Sequence, residues 1–388
     1  MLLGLIVVAI WAGLLAFRGG FWRVERGSAP ALAVAGRSVV AVIPARDEAG
    51  FIGGAVGSLL AQDYPGELHV VVVDDNSSDG TASVARAAGA PGRVTVVAGK
   101  AMPPGWTGKL WALDQGIAAA ARMQPDYLLL TDADIVHAPG NVRDLVARAE
   151  SEGYDLVSLM VRLHCKGFWE RLLVPAFVFF FFKLYPPRWV AAPSRATAAA
   201  AGGCILLRRG VLDRIGGLAS IRHEIIDDCA LARRVKSGGK IWLGLGDTAQ
   251  SVRPYGGWRP LWDMIARSAF AQLGFSAALL GAATAMMALT YLAPLFLALG
   301  PVDIAAKALG IAAWVAMSAA FVPMLWFYAC PLWLAPLLPL IAAFYMAATC
   351  ASAVQFWRGR GGAWKGRFQA APPLTRPETP RETPGAGG

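Results

Sequence analysis

The chain has 388 residues, of which 56% are hydrophobic and only 16% charged, with a formal net charge of +10. Soluble domains carry about 25% charged residues, so an ordinary soluble protein is excluded. The basic residues crowd beside apolar runs: Arg208 to Arg267 before the last block, and Arg358, Arg360, Lys365 and Arg367 after it. That placement points to a membrane surface and cytoplasmic flanks, not to nucleic acid.

Leu2 to Phe17 is apolar and is followed by Arg18, Arg23 and Arg26. A cleaved leader carries its basic residues before the apolar run. Residues 1–23 therefore read as an uncleaved anchor with its N-terminus outside, and Val24 to Ala35 as a linker. Ser38–Ile43 is the short Val-rich run of a buried parallel strand. A helix over Ala49–Gln62 follows, then a strand over His69–Val73 and the turn Asp74-Asp75-Asn76-Ser77-Ser78-Asp79-Gly80. Thr81–Ala90 reads as a helix, Val94–Val97 as a strand, Leu110–Met123 as a helix and Tyr127–Leu130 as a strand ending in Asp132-Ala133-Asp134. Strands separated by helices predict right-handed crossovers, an α/β domain and a mostly parallel sheet over 36–260. Both acidic clusters then sit at the carboxyl ends of strands, where such sheets bind ligands.

Residues two apart in an extended segment point the same way. Asp132 and Asp134 can therefore meet one hard cation, Mg²⁺ or Mn²⁺, which bridges carboxylates to phosphates. In the run Asp74–Gly80, turn and capping roles explain Asp, Asn, Ser and Gly, but two adjacent carboxylates, Asp74 and Asp75, right after the strand are more than a turn requires, and a carboxylate there can accept from a base or ribose. Leu172 to Phe182 is apolar but too short to span. Within 168–187 it reads as a helix in the headgroup layer, with a buried core helix as the alternative. Phe275–Leu299, Ile304–Ala329 and Trp333–Trp357, within 275–357, are each long enough to cross. Three crossings after a cytoplasmic domain place the C-terminus outside, whereas the basic residues after Trp357 favour inside. Either one run is re-entrant or the charge rule fails here. The Pro-, Thr- and Glu-rich tail, 371–388, has the composition of a disordered segment. The five cysteines form no CxxC pair and read as reduced structural thiols.

Several runs resemble the motifs of family 2 glycosyltransferases of the GT-A fold. Val40–Glu48 resembles the opening IPAxNE motif, with Asp47 where Asn is usual. Val72–Thr81 matches VVDDxSxDGT, Gly108–Gly116 resembles GKxxALNxG, and Asp132-Ala133-Asp134 matches the metal motif. Gly202–Arg209 resembles the glycine-bearing strand near the acceptor, and Ile226–Val235 resembles EDxxLxxRL, with Asp227 in place of Glu. The resemblance implies a metal-dependent hexosyltransferase-type enzyme with a nucleotide-diphosphate sugar as donor. It implies donor contacts from Pro44, Arg46, Glu48, Asp74, Asp75, Lys109, Asp132 and Arg267. It further implies a divalent cation at Asp132 and Asp134, acceptor-side Gly202 and Gly203, and catalytic Asp227 and Asp228, with Asp228 as general base. Of the QxxRW motif of processive members only Arg267 is present, so one transfer to a membrane lipid is expected over polymerisation. The layout of the whole chain is similar to hopanoid-associated glycosyltransferases and, more distantly, to ceramide glucosyltransferases. That implies a multi-pass protein of the bacterial cytoplasmic membrane with its catalytic domain facing the cytoplasm. A processive synthase, transfer to a polyprenyl phosphate and an inactive membrane scaffold remain as alternatives. A nucleotidyltransferase would need a Gly- and Arg-rich loop after the first strand, which Pro44–Glu48 does not offer.

Overall fold

The structure, a computed structural model, describes residues 1–24, 36–89 and 92–362. The expected linker beyond Val24 and the C-terminal tail, with Lys365 and Arg367, lie outside these residues. The chain begins with helix α1 (Leu2–Phe17). The α/β layer then runs β1 (Val39–Ala45), α2 (Ile52–Leu60), β2 (Leu68–Asp74), α3 (Thr81–Ala88), β3 (Val94–Ala98), α4 (Gly108–Ala120), β4 (Tyr127–Thr131), β5 (Ile135–His137), α5 (Asn141–Glu152) and β6 (Leu156–Arg162). It continues with α6 (Phe168–Leu184), α7 (Pro187–Ala191), β7 (Cys204–Arg208), α8 (Gly210–Ile215), α9 (Asp227–Lys236), β8 (Ile241–Ser251) and α10 (Trp258–Gln272). The last block is α11 (Ala277–Met287) and α12 (Ala293–Leu299), joined by a π-helical turn, then α13 (Ile304–Phe327), a 3-10 segment (Leu332–Leu337) and α14 (Leu338–Trp357).

The strands form one sheet in the order β3-β2-β1-β4-β7-β6-β8-β5. β1 pairs parallel with β2 and β4, β2 with β3, and β6 with β8. β7 is antiparallel to β4 and β6, and β5 to β8. β1 is buried along its whole length, which explains its unbroken apolar run: a strand covered on both faces has no polar side to show. Register places Ala45 of β1 opposite Asp74 of β2, so the ends of these strands open at one edge. The α/β architecture and mostly parallel sheet agree with the expectation from sequence.

Ala277–Leu299, Ile304–Phe327 and Leu332–Trp357 are long and apolar enough to cross a membrane; α1 is shorter. α1 packs on α13 and α12, and Trp11 Nε1 donates to Thr290 O at 2.9 Å. The Phe-rich run is a 17-residue helix, α6, longer than the 11 apolar residues suggest. Phe179 and Phe182 are buried, and Phe179 meets Phe21 and Phe321, each at 5.3 Å. Over that half, the buried alternative describes α6 better than a helix lying free in the headgroup layer. Its start leaves Phe168 and Trp169 exposed.

Candidate active site

A cleft of about 360 Å³ opens at the carboxyl ends of β1 and β4. Pro44, Arg46, Glu48, Lys109, Asp132, Asp134, Asp227 and Arg267 all line it. Residues 88 positions apart in β1 and β4 meet there because the two strands are paired. Lys109, in the first turn of α4, reaches back over the strand ends. Its Nζ lies 2.8 Å from Asp132 Oδ1 and 3.8 Å from Asp227 Oδ2. Burial works against this ammonium, but Asp132 and Asp227, with Asp228 beyond them, outweigh it and hold it above its ordinary pKa. Burial raises Asp132 in turn, against the pull of Lys109.

Asp228 lies in the wall of a smaller adjoining cavity with Lys109, Asp132, Gly202 and Asp227. It is the second residue of α9, and its carboxylate accepts from Gly202 N at 2.9 Å and Cys229 N at 2.7 Å. Burial, reinforced by Asp227 and opposed by Lys109, pushes its pKa up to about 6. Gly202 fits closely against the site: a Cβ there would sit 3.1 Å from Lys109 Nζ and 3.4 Å from Asp228 Oδ2, so the lysine tip would have to shift slightly to admit it. Gly203 is set one step back, its carbonyl accepting from Thr131 Oγ1 at 2.7 Å.

Asp74 and Asp75 lie beside the cleft and do not line it. Asp74 Oδ1 accepts from Ser77 N at 3.2 Å, closing its own turn. Asp75 is 1% exposed; its Oδ2 lies 3.6 Å from Arg46 Nη1, which also donates to Asp75 O at 2.9 Å. In this arrangement Asp75 holds Arg46, and Arg46 faces the cleft. Asp47 and Asp79 lash the two loops together: Ser78 N donates to Asp47 Oδ1 at 2.8 Å, and Ala49 N to Asp79 Oδ2 at 2.9 Å. Asp47 has φ of 51°, a left-handed conformation that Asn and Asp tolerate best, so the departure from Asn at this position is conservative in backbone terms.

A model of the glycosyltransferase-like family 2 matches residues 36–254. The chain belongs to this family. An uncharacterised protein of Methanocaldococcus jannaschii is 32% identical to this glycosyltransferase-family chain over 118 residues; the match covers 30% of the chain and 44%, less than half, of that relative. Among solved structures, a mannosyltransferase from Pyrobaculum calidifontis in complex with GDP-Man and Mn²⁺ shares the fold, with a TM-score of 0.52 at 21% identity over 91% of this chain and 97% of its own. Glucosyl-3-phosphoglycerate synthase from Mycobacterium tuberculosis is similar at a TM-score of 0.40 and 21% identity, over 62% of this chain and 82% of its own.

One cleft residue of this family 2 member had no role in the sequence. Arg253 follows β8, stacks over the Phe51 ring at 4.3 Å and pairs with Glu48 and, at 3.2 Å, with Asp134. Ser251 Oγ also donates to Asp134, at 2.8 Å. The partners of Arg253 lie 119 and 205 positions away in sequence, so the local stretch Arg253–Trp258, although similar to the hopanoid-associated group, gave it no site role.

Proposed function

We propose that this chain transfers a sugar, with inversion, from a nucleotide-diphosphate sugar to a hydroxyl of a membrane lipid at the cytoplasmic face, a hopanoid being the acceptor suggested by its overall layout. The observation that carries this reading is the convergence of Lys109, Asp132, Asp227 and Asp228 beside one cleft that Arg46 and Arg267 also line. Cations and carboxylates interleaved along one cleft suit a diphosphate leaving group and a hydroxyl nucleophile. Arg267 stands on α10, whose far side packs on α14, so the cleft opens next to the apolar block and within reach of a lipid.

The carboxylates fit a divalent cation. Asp132 and Asp134 offer hard oxygen donors to the same cleft, and among the described residues no three His, Cys, Asp or Glu side chains converge into a full cage. Mg²⁺ or Mn²⁺ suits such an open site, because it binds one or two carboxylates and completes its shell with phosphate oxygens and water. Asp132 and Asp134 would hold it, and when bound it would neutralise charge developing on the departing nucleoside diphosphate. Lys109, Arg46 and Arg267 orient and balance the diphosphate from the chain's own side. Asp74 and Asp75 stand next to the nucleoside end, Asp75 through Arg46. Asp228 accepts the proton of the attacking hydroxyl, and its raised pKa suits a base working near neutral pH. Asp227 holds Lys109 between the two halves of the site.

Incubating membranes that contain the protein with a panel of labelled nucleotide sugars, then analysing the lipid extract by mass spectrometry, tests the reading. Labelled lipid is expected with the wild type and none with Asp228→Asn. Label confined to an aqueous polymer would replace the lipid acceptor with processive synthesis, and no transfer from any donor would overturn the activity itself.

A further inference from the structure

Span count and flanking charge disagree in the sequence, and the contacts of the third apolar run resolve them. The turn that leads from α13 into the run lies against the catalytic domain. Tyr328 OH lies 3.4 Å from Leu163 N, and Cys330 Sγ lies 3.8 Å from Cys165 Sγ, both partners standing just after β6. The run then turns back along α13: Trp314 Nε1, near the middle of that helix, donates to Pro336 O at 2.9 Å. From there α14 runs beside α10. Phe344 meets Trp262 at 5.2 Å near the start of α10, and Phe356 and Trp357 meet Phe270 at 5.5 and 5.6 Å near its end. Phe270 N also donates to Ser352 Oγ at 3.0 Å. Along the way Tyr345 OH donates to Leu173 O in α6 at 2.9 Å.

α10 is not a crossing helix. It has 15 residues, about 22 Å at 1.5 Å per residue, carries Arg259, Asp263 and Arg267, and places Arg267 in the cleft wall. A helix that accompanies α10 from end to end shares its side of the membrane. The turn into the third run and the far end of that run therefore both touch elements of the catalytic side. The opposite side is marked by other contacts: the N-terminal ammonium lies 3.6 Å from Asp303 Oδ2, in the turn between α12 and α13. α1 returns from there to the catalytic side, where Arg18 Nε donates to Lys183 O at 3.0 Å.

We propose that Leu332–Trp357 is a re-entrant segment seated in the leaflet next to the catalytic domain, that the chain crosses the bilayer three times, by α1, by α11 with α12, and by α13, and that its C-terminal end lies on the side of the active site. The partner of this surface is the lipid of that leaflet. Trp333, Leu340, Val354 and Trp357 are exposed along the run, and Arg358 and Arg360 follow it, the order of apolar anchor and basic flank that a cytoplasmic headgroup layer attracts. The inference rests on the membrane reading of the three apolar runs.

Three single-cysteine additions test it in intact bacterial cells treated with a membrane-impermeant maleimide, with the unsubstituted protein as background: Pro301→Cys in the α12–α13 turn, Arg360→Cys after α14, and Ala61→Cys in the catalytic domain. Label is expected on Pro301→Cys alone, with Arg360→Cys and Ala61→Cys reacting only after permeabilisation. Label on Arg360→Cys but not Ala61→Cys in intact cells would restore a fourth crossing and overturn the re-entrant segment. If all three stayed unlabelled, and carbonate washing released the protein from membranes, the membrane reading itself would fall, and the proposal with it.

Discussion

Asp228 carries the most specific chemical expectation. Its pKa is pushed up to about 6 from an ordinary 3.8 by burial and by Asp227. The proposed base is protonated below that value, so the transfer rate should fall tenfold per pH unit on the acid side of about pH 6, and a pH–rate profile that stays flat to pH 4.5 would exclude Asp228 as the base. The stability consequence has the opposite sense. A carboxyl whose folded pKa is raised contributes most below its unfolded value, and that contribution is lost as pH rises through about 6. Asp228→Asn cannot ionise, so its melting temperature relative to wild type should improve between pH 5 and pH 8 while its activity stays lost. Gly202 belongs to the same argument. Gly202→Ala puts a methyl group 3.1 Å from Lys109 Nζ and should lower kcat with little change in melting temperature. Arg253 poses a different test, since it holds Glu48 and Asp134 together. Arg253→Ala leaves two carboxylates facing each other without their shared cation, so the variant should melt lower in chelator and gain more from added Mn²⁺ than wild type does. Equal Mn²⁺ shifts in the two proteins would separate Arg253 from the cation site. Of these residues, Asp228 and Gly202 stood in recognisable runs, whereas Arg253 acquires its place only through long-range packing.

At the level of elements, the first half of the domain was legible almost strand by strand. β1, β2 and β4 are buried parallel strands and β3 is the half-exposed edge strand beside them; their apolar runs end sharply in polar turns, and that local pattern is the signal itself. On the antiparallel side only β7 was legible, through the resemblance of Gly202–Arg209 to a glycine-bearing strand. β5 has three residues and owes its existence to pairing with β8, and β8 alternates Gly244 and Gly246 with larger residues, which blurs its period. Close packing explains another motif position. A Cβ on Gly116 in α4 would press into Val42 and lie 2.9 Å from Val73 Cγ2, so α4 sits directly on β1 and β2. Gly116→Ala should cost about 1–3 kcal/mol of stability and, by lifting α4, shift Lys109 away from Asp132. Donor affinity measured calorimetrically should fall along with the melting temperature; unchanged affinity would show that Lys109 is placed independently of the α4 seat.

For the whole molecule, the catalytic domain and the apolar helices are joined by α6, and this explains why composition alone left two readings of the Phe-rich run. A stretch of aromatic residues at a domain edge has the same sequence whether lipid or protein covers it. Here Phe179 is covered by Phe21 and Phe321, and Phe180 by Tyr291 and Tyr345, so residues from the N-terminal segment, α13, the turn after α11 and α14 all bear on one helix. The catalytic domain is then incomplete without its membrane partners. Phe179→Ala in the full chain removes a ring packed on two sides and should cost about 3 kcal/mol, read as earlier aggregation on heating in detergent. A chain spanning 36–256, freed of α1 and of everything after the sheet, would expose the Phe179 and Phe182 faces to water. Apolar patches of that kind drive association, so this fragment should be recovered in aggregates or only with detergent. Replacing Phe179, Phe180 and Phe182 by Ser in the same fragment should restore solubility. Recovery of the unsubstituted fragment as a soluble monomer would mean that α6 can close its own apolar face and that the two parts of the molecule are joined by the chain alone.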